Sequence, residues 1–94
     1  MIEVVISADL HCAWDQEPPA YRIYVDDDLL TERTYRWINP EQYICEFMTV
    51  RVVPGMHSLR VEAVNPAYQE KFILNNVHIN RQAVPYVNNQ ILIQ

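Results

Sequence analysis

Thr49–Asn65, reading TVRVVPGMHSLRVEAVN, decides the fold class. Two runs rich in β-branched residues flank Pro54-Gly55. In the second run Leu59, Val61 and Ala63 alternate with Ser58, Arg60 and Glu62. That is the period of a strand with one buried and one wet face. The Pro-Gly pair predicts a tight turn joining the two runs as antiparallel partners.

The same alternation extends outward in both directions. Upstream, Ile2, Val4, Ile6 and Ala8 share one face, with Glu3, Ser7 and Asp9 on the other. A loop from about His11 to Pro19 ends in Pro18-Pro19, which forbids regular ladder pairing. Tyr21, Ile23 and Val25 then alternate with Arg22 and Tyr24. Asp26-Asp27-Asp28 turns this strand into Leu29 to Trp37, whose polar content marks an edge. Asn39-Pro40-Glu41 reads as a further loop.

Tyr43 to Val53 breaks its own parity. Tyr43, Cys45 and Phe47 are odd, whereas Met48, Val50 and Val52 are even, and a β-bulge near Phe47-Met48 would reconcile them. Phe72 and Leu74 followed by Val77 and Ile79 slip in the same way across Asn75-Asn76. Many short strands with two slips predict an all-β chain: an antiparallel β-sandwich of about seven or eight strands. Its strand order is either jelly-roll or immunoglobulin-like, because both satisfy the same alternation. With one glycine in the chain, positive backbone angles must fall to Asn and Asp. Seven Asn stand largely where strands should end.

Length and composition bound the function. The chain has 94 residues, 50% of them hydrophobic and 20% charged, which fits a single globular domain over residues 1–94. The net charge of −5, with seven cations scattered among twelve acids, argues against a nucleic-acid partner. Six of the seven cations are Arg, a bias that favours contact surfaces. MIEVVISADL has no basic leader region, and no apolar run approaches the roughly 20 residues that span a bilayer. A start in the cytoplasm and no membrane partner are therefore expected. Cys12 and Cys45 match no metal spacing and read as two small buried hydrophobes.

Chemistry-bearing candidates are sparse. No nucleophile elbow, phosphate loop or zinc motif is present, and no catalytic residue or cofactor is expected. His11, His57 and His78 are isolated in sequence. Asp26, Asp27 and Asp28 carry oxygen ligands suited to calcium but lack the spacing of a calcium loop, and read first as a solvated turn. The aromatics suggest contact instead, because Tyr, Trp and Arg dominate interface hot spots and stack on sugar rings. Trp14, Tyr24 and Tyr68 stand in loops or at outward parity, Trp14 being the best single candidate. After Pro85, YVNNQILIQ leaves Tyr86 beside an apolar run, Ile91, Leu92 and Ile93. That run either closes its own sheet or adds as an arm to a neighbouring subunit.

The segments YRIYVDDDLLTERTYRW, VVPGMHSLRVEAVN and FILNNVHINRQAVP lie between Tyr21 and Pro85. Their order resembles that of short accessory β-sandwich proteins of tailed bacteriophages, especially those of marine and cyanobacterial hosts. The resemblance implies a non-enzymatic virion protein made in the host cytoplasm: capsid decoration or cement, or a tail- or fibre-associated module. Its partners would be other virion proteins or further copies of itself. The segments also look like calcium-dependent carbohydrate-binding modules, which implies a glycan ligand held by Trp14, Tyr68 and the acidic turn. The chain departs from that second pattern in its near absence of glycine. It also has Asn65-Pro66-Ala67-Tyr68 where those modules carry an Asp cluster.

Overall fold

A computed structural model describes residues 1–38 and 41–94, so the loop expected at Asn39-Pro40-Glu41 lies largely outside the described residues. Eight strands are present: β1 (Ile2–Cys12), β2 (Ala20–Val25), β3 (Asp28–Thr34), β4 (Ile44–Val52), β5 (Gly55–Ala63), β6 (Phe72–Ile79), β7 (Gln82–Ala83) and β8 (Gln90–Ile93). They form two four-stranded antiparallel sheets, in the orders β4-β1-β6-β7 and β3-β2-β5-β8. The sheets stack as a sandwich, with β4 meeting β3 and β6 meeting β5 across the core. Only β2–β3 and β6–β7 are consecutive strands paired within one sheet; the other five connections cross from sheet to sheet, unlike the immunoglobulin order, in which A–B, D–E and F–G all pair.

Alternation builds the core as expected. Val4, Ile6, Ala8, Leu10 and Cys12 of β1 face Tyr21, Ile23 and Val25 of β2, all buried. Each such aliphatic side chain contributes about 1.5–3 kcal/mol through burial. Phe72 packs its ring against both Tyr21 and Tyr35, at centroid distances of 5.4 and 6.2 Å. The slip at Asn75-Asn76 is present too. Between Ser7 and Asp9 the β1–β6 register shifts, and Asn76 takes φ 52° to absorb the extra residue. Asp26, Asn80, Asn88 and Asn89 also carry positive φ, joined by Arg81, which together with Asn80 forms the turn from β6 to β7.

Three expectations need correction. Pro54-Gly55 does not close a hairpin, because β4 and β5 belong to different sheets. Met48, Val50 and Val52 on β4 and Leu59 and Ala63 on β5 all point into the one core, from opposite sides. Pro54, which has no N–H to give a ladder, and Gly55 at φ 139° turn the chain from one sheet to the other.

The second correction concerns parity in β4. Its register against β1 runs unbroken from Ile2–Val52 to Leu10–Ile44, with no bulge at Phe47-Met48. Even positions face inward throughout, and Glu46 takes the inward place at 2% exposure. Tyr43, Cys45 and Phe47 face outward, so Cys45 is exposed, whereas Cys12 is buried as expected. Thirdly, the edge strand β3 stops at Thr34, well before Trp37.

The C-terminal run closes its own sheet. β8 pairs with β5 from Gly55–Ile93 to Ser58–Gln90. Ile91 and Ile93 are core residues, and only Leu92 between them is open to solvent. They are therefore not an exposed contact surface.

Gly55 gives a direct test of the corner. No atom lies within 4 Å of a methyl group placed on it, so any cost of Gly55→Ala comes from the backbone angle. The substitution is expected to lower stability by about 1–3 kcal/mol. Urea unfolding, with an unchanged denaturant slope, is the check.

Candidate functional site

Strand directions sort the loops onto two ends of the sandwich. Residues 13–19, 35–38, 41–43 and 64–71 gather at the end where β2 and β6 begin and β5 finishes. The Asp26-Asp27 turn, the Pro54-Gly55 corner and the Asn80-Arg81 turn gather at the other. Trp14 and Tyr68 are thus at the first end and the acidic turn at the second, on a body 42 Å long. Those residues do not form one site.

The other sequence candidates are largely engaged within the fold. Trp14 is half-buried against the core, and its Nε1–H donates to the Trp37 carbonyl at 2.7 Å. That bond ties residues 13–19 to residues 35–38. Tyr68 sits in a 3-10 helix, Pro66–Lys71, capped by the Asn65 side chain, with the Lys71 ammonium 5.5 Å from its ring. Arg60 covers the Tyr24 ring at 4.2 Å. The Tyr86 hydroxyl donates to the Leu59 carbonyl at 2.5 Å, and burial raises its pKa.

The acidic turn is likewise committed. Asp26 accepts from the Ser58 N–H at 3.1 Å, and its other oxygen lies 2.8 Å from His57 Nδ1. Asp27 and Asp28 remain exposed. Among the described residues no cluster of three or more His, Cys, Asp or Glu is placed to hold a metal ion. The two cysteines are both free thiols. Burial pushes the Cys12 thiol up to about 11. Partial burial and the neighbouring Asp9 carboxylate raise Cys45 as well. Neither is therefore an activated nucleophile.

Two features absent from the sequence candidates stand out. One is a buried charge cluster where the edge strands β3 and β4 meet. Glu46 Oε1 accepts a 2.5 Å hydrogen bond from the Tyr21 hydroxyl and pairs with Arg33 Nε at 2.9 Å. Burial, then the carboxylate beside it, pushes the Tyr21 phenol far above its ordinary range. Beside this cluster opens a groove of about 750 Å³ lined by Arg33, Thr34, Arg36, Trp37, Tyr43, Ile44 and Cys45. Trp37 and Tyr43 are each about half exposed there. Even parity across Ile44, Met48, Val50 and Val52 would have placed Glu46 inside, had a paired carboxylate been allowed in the core.

The other is the contrast between the two outer faces. The second sheet ties Arg22, Glu32, Arg60 and Glu62 into ion pairs of 3.2–3.5 Å and leaves Leu29, Met56 and Leu92 open beside them. The first sheet instead exposes Phe47 at 69%, Ile73 at 57% and Val5 at 39%. Val5 and Phe47 line a common depression with Ser7, Asn80 and Arg81. Tyr43 lies beside His11, ring centroids 5.3 Å apart.

Arg33 and Arg22 distinguish the pair whose acid is buried from those whose acids are exposed. Arg33→Ala leaves the Glu46 carboxylate without its cation and is expected to cost about 1.5–3 kcal/mol. Arg22→Ala removes solvent-screened pairs and should leave the midpoint nearly unchanged. Parallel chemical denaturation of the two variants is the check.

His57 generates a pH prediction. Its Nδ1 faces the Asp26 carboxylate and its Nε2 lies 2.7 Å from the Val53 carbonyl. Both partners only accept, so the doubly protonated ring satisfies both. Asp26, then the Val53 carbonyl, raise the His57 pKa above 6.5, and His57 holds Asp26 below 3.8. The His57 contribution is thus complete below 6.5 and fades as pH rises through its higher folded value. The Asp26 contribution is complete above 3.8 and fades only as pH falls through its lower folded value. Thermal midpoints should therefore decline as pH rises from about 6.5 to 8, with a smaller decline in Asp26→Asn.

No protein-family model, curated protein or solved structure matches the chain.

Proposed function

We propose that this protein is a non-enzymatic contact module that docks on, or assembles into, a larger protein particle through the outer face of its first sheet. The single observation behind this reading is the exposure of Phe47, Ile73 and Val5 on that face, opposite a face laced with ion pairs. A rigid sandwich whose first-sheet flank leaves large apolar side chains open suits cementing, in which aromatic anchors bury contact area across subunit boundaries. The resemblance of Tyr21–Pro85 to accessory sandwiches of tailed bacteriophages adds the class of particle: a virion, with the chain as decoration, cement or fibre-associated module.

The alternative, a carbohydrate-binding module, draws its support from Trp37 and Tyr43, two half-open rings beside Arg33 and Arg36 in the groove. Asp26 is already bonded to His57 and Ser58, which favours a calcium-independent form of that reading. Loss of glycan-panel binding in Trp37→Ala, without any effect of chelation, is its signature.

Light scattering over a concentration series separates the two. The contact-module reading expects mass above the monomer at high concentration, reverting to the monomer in Phe47→Arg with its thermal midpoint retained. A wild-type mass fixed at the monomer, together with glycan binding, would move the assignment to the alternative.

A further inference from the structure

The sandwich has four sheet edges, β4 and β7 on one sheet and β3 and β8 on the other. An edge strand presents unpaired N–H and C=O groups, and proteins blunt such edges with shortness, bulges, proline or charge. β7 has two residues and β8 has four. β3 carries a register break opposite Ile23-Tyr24 and holds Asp28, Glu32 and Arg33. β4 is different. It runs for nine residues in unbroken register without proline, its charges being the inward Glu46, paired with Arg33, and the outward Arg51. Its outward side chains are Cys45, Phe47, Thr49 and Arg51, with no carboxylate among them.

What could pair with that edge is restricted by charge. The inward Glu46 is neutralised by Arg33, whose side chain remains 59% exposed at the open seam. A neutral or basic strand laid along β4 would desolvate the Arg33 guanidinium without replacing its water. A strand bringing a carboxylate would instead give it a second acceptor. Arg36 lines the adjoining groove, and among the described residues it has no ion-pair partner and no acidic side chain lines that groove. A second copy of β4 offers only Cys, Phe, Thr and Arg outward, so self-pairing brings no outward carboxylate to Arg33 or Arg36.

We propose that the β4 edge and the Arg33–Arg36–Trp37–Tyr43 groove form one docking track for an extended, carboxylate-bearing segment of a partner protein. The segment adds as a fifth strand beside β4. Its main chain bonds to the β4 edge, unpaired among the described residues, its apolar side chains lie beside Phe47, and a carboxylate enters the groove to meet Arg36 and the outer side of Arg33. This deepens the contact-module reading and rests on it, supplying the chemistry of one partner.

The probe is a decapeptide alternating valine and glutamate, which brings a carboxylate to the groove in either strand direction. Amide shifts of 15N-labelled protein follow its binding. The expected result is perturbation confined to residues 44–52 and the Trp37 indole, weakened about tenfold or more in Arg36→Glu and abolished when the peptide's valines are N-methylated. Equal binding of the valine–lysine peptide, indifference to N-methylation, or no binding would each overturn the proposal. Glucuronate shifting the groove residues without those of the β4 edge would overturn it in favour of an acidic sugar. Self-association lost in Phe47→Arg but untouched by peptide competition would leave the contact-module reading standing while this track fails.

Discussion

One carboxylate oxygen, Oε1 of Glu46, joins three strands from both sheets. It belongs to β4, accepts from Tyr21 on β2 and pairs with Arg33 on β3. Elsewhere the sheets meet through side chains that any close-packed apolar interior could supply. At this seam the stacking has a defined partner set, because a displaced sheet would strand a charge away from water. The same bond network fixes which edges lie together, and so where the groove between β3 and β4 opens. An apolar replacement of all three groups could be equally stable. It would not hold Arg33 at the mouth of that groove.

The fold class was legible because alternation is a local property. β1, β2 and β5 each show it without interruption, and the slip at Asn75-Asn76 showed it by breaking it. What escaped was non-local. Pro54-Gly55 has the composition of a hairpin turn, and nothing in its neighbours says that the partners of β4 and β5 lie in other strands. Glu46 escaped for a related reason. A lone Glu among apolar residues reads as outward until Tyr21 and Arg33, 25 and 13 positions upstream (46 − 21 and 46 − 33), are known to converge on it. The apparent bulge at Phe47-Met48 comes from reading Tyr43, Cys45 and Phe47 as inward, whereas all three face out.

The candidate site was less legible still, since an aromatic's type does not reveal its exposure. Trp14 and Tyr86 are hydrogen-bonded staples, and Ile91 and Ile93 complete the core. Phe47, read as interior, is among the most exposed apolar residues of the chain. The Arg bias likewise divides. Arg22 and Arg60 are paired within the second sheet's outer face, and Arg33 stabilises a buried acid. Arg36, Arg51 and Arg81 form no ion pair among the described residues. The outer faces therefore differ in their ion pairs, which among the described residues lie on the second sheet, while both leave apolar side chains open.

Both termini emerge at the same end. Ile2 pairs with Val52 just before the Pro54-Gly55 corner, and Ile93 pairs with Gly55 just after it. The groove and residues 13–19 and 64–71 occupy the opposite end. A fusion partner, tag or tether attached at either terminus would therefore hang from the base of the sandwich. Copies could be strung in tandem or anchored to a support with their grooves all pointing outward, so the geometry is already that of a displayed module.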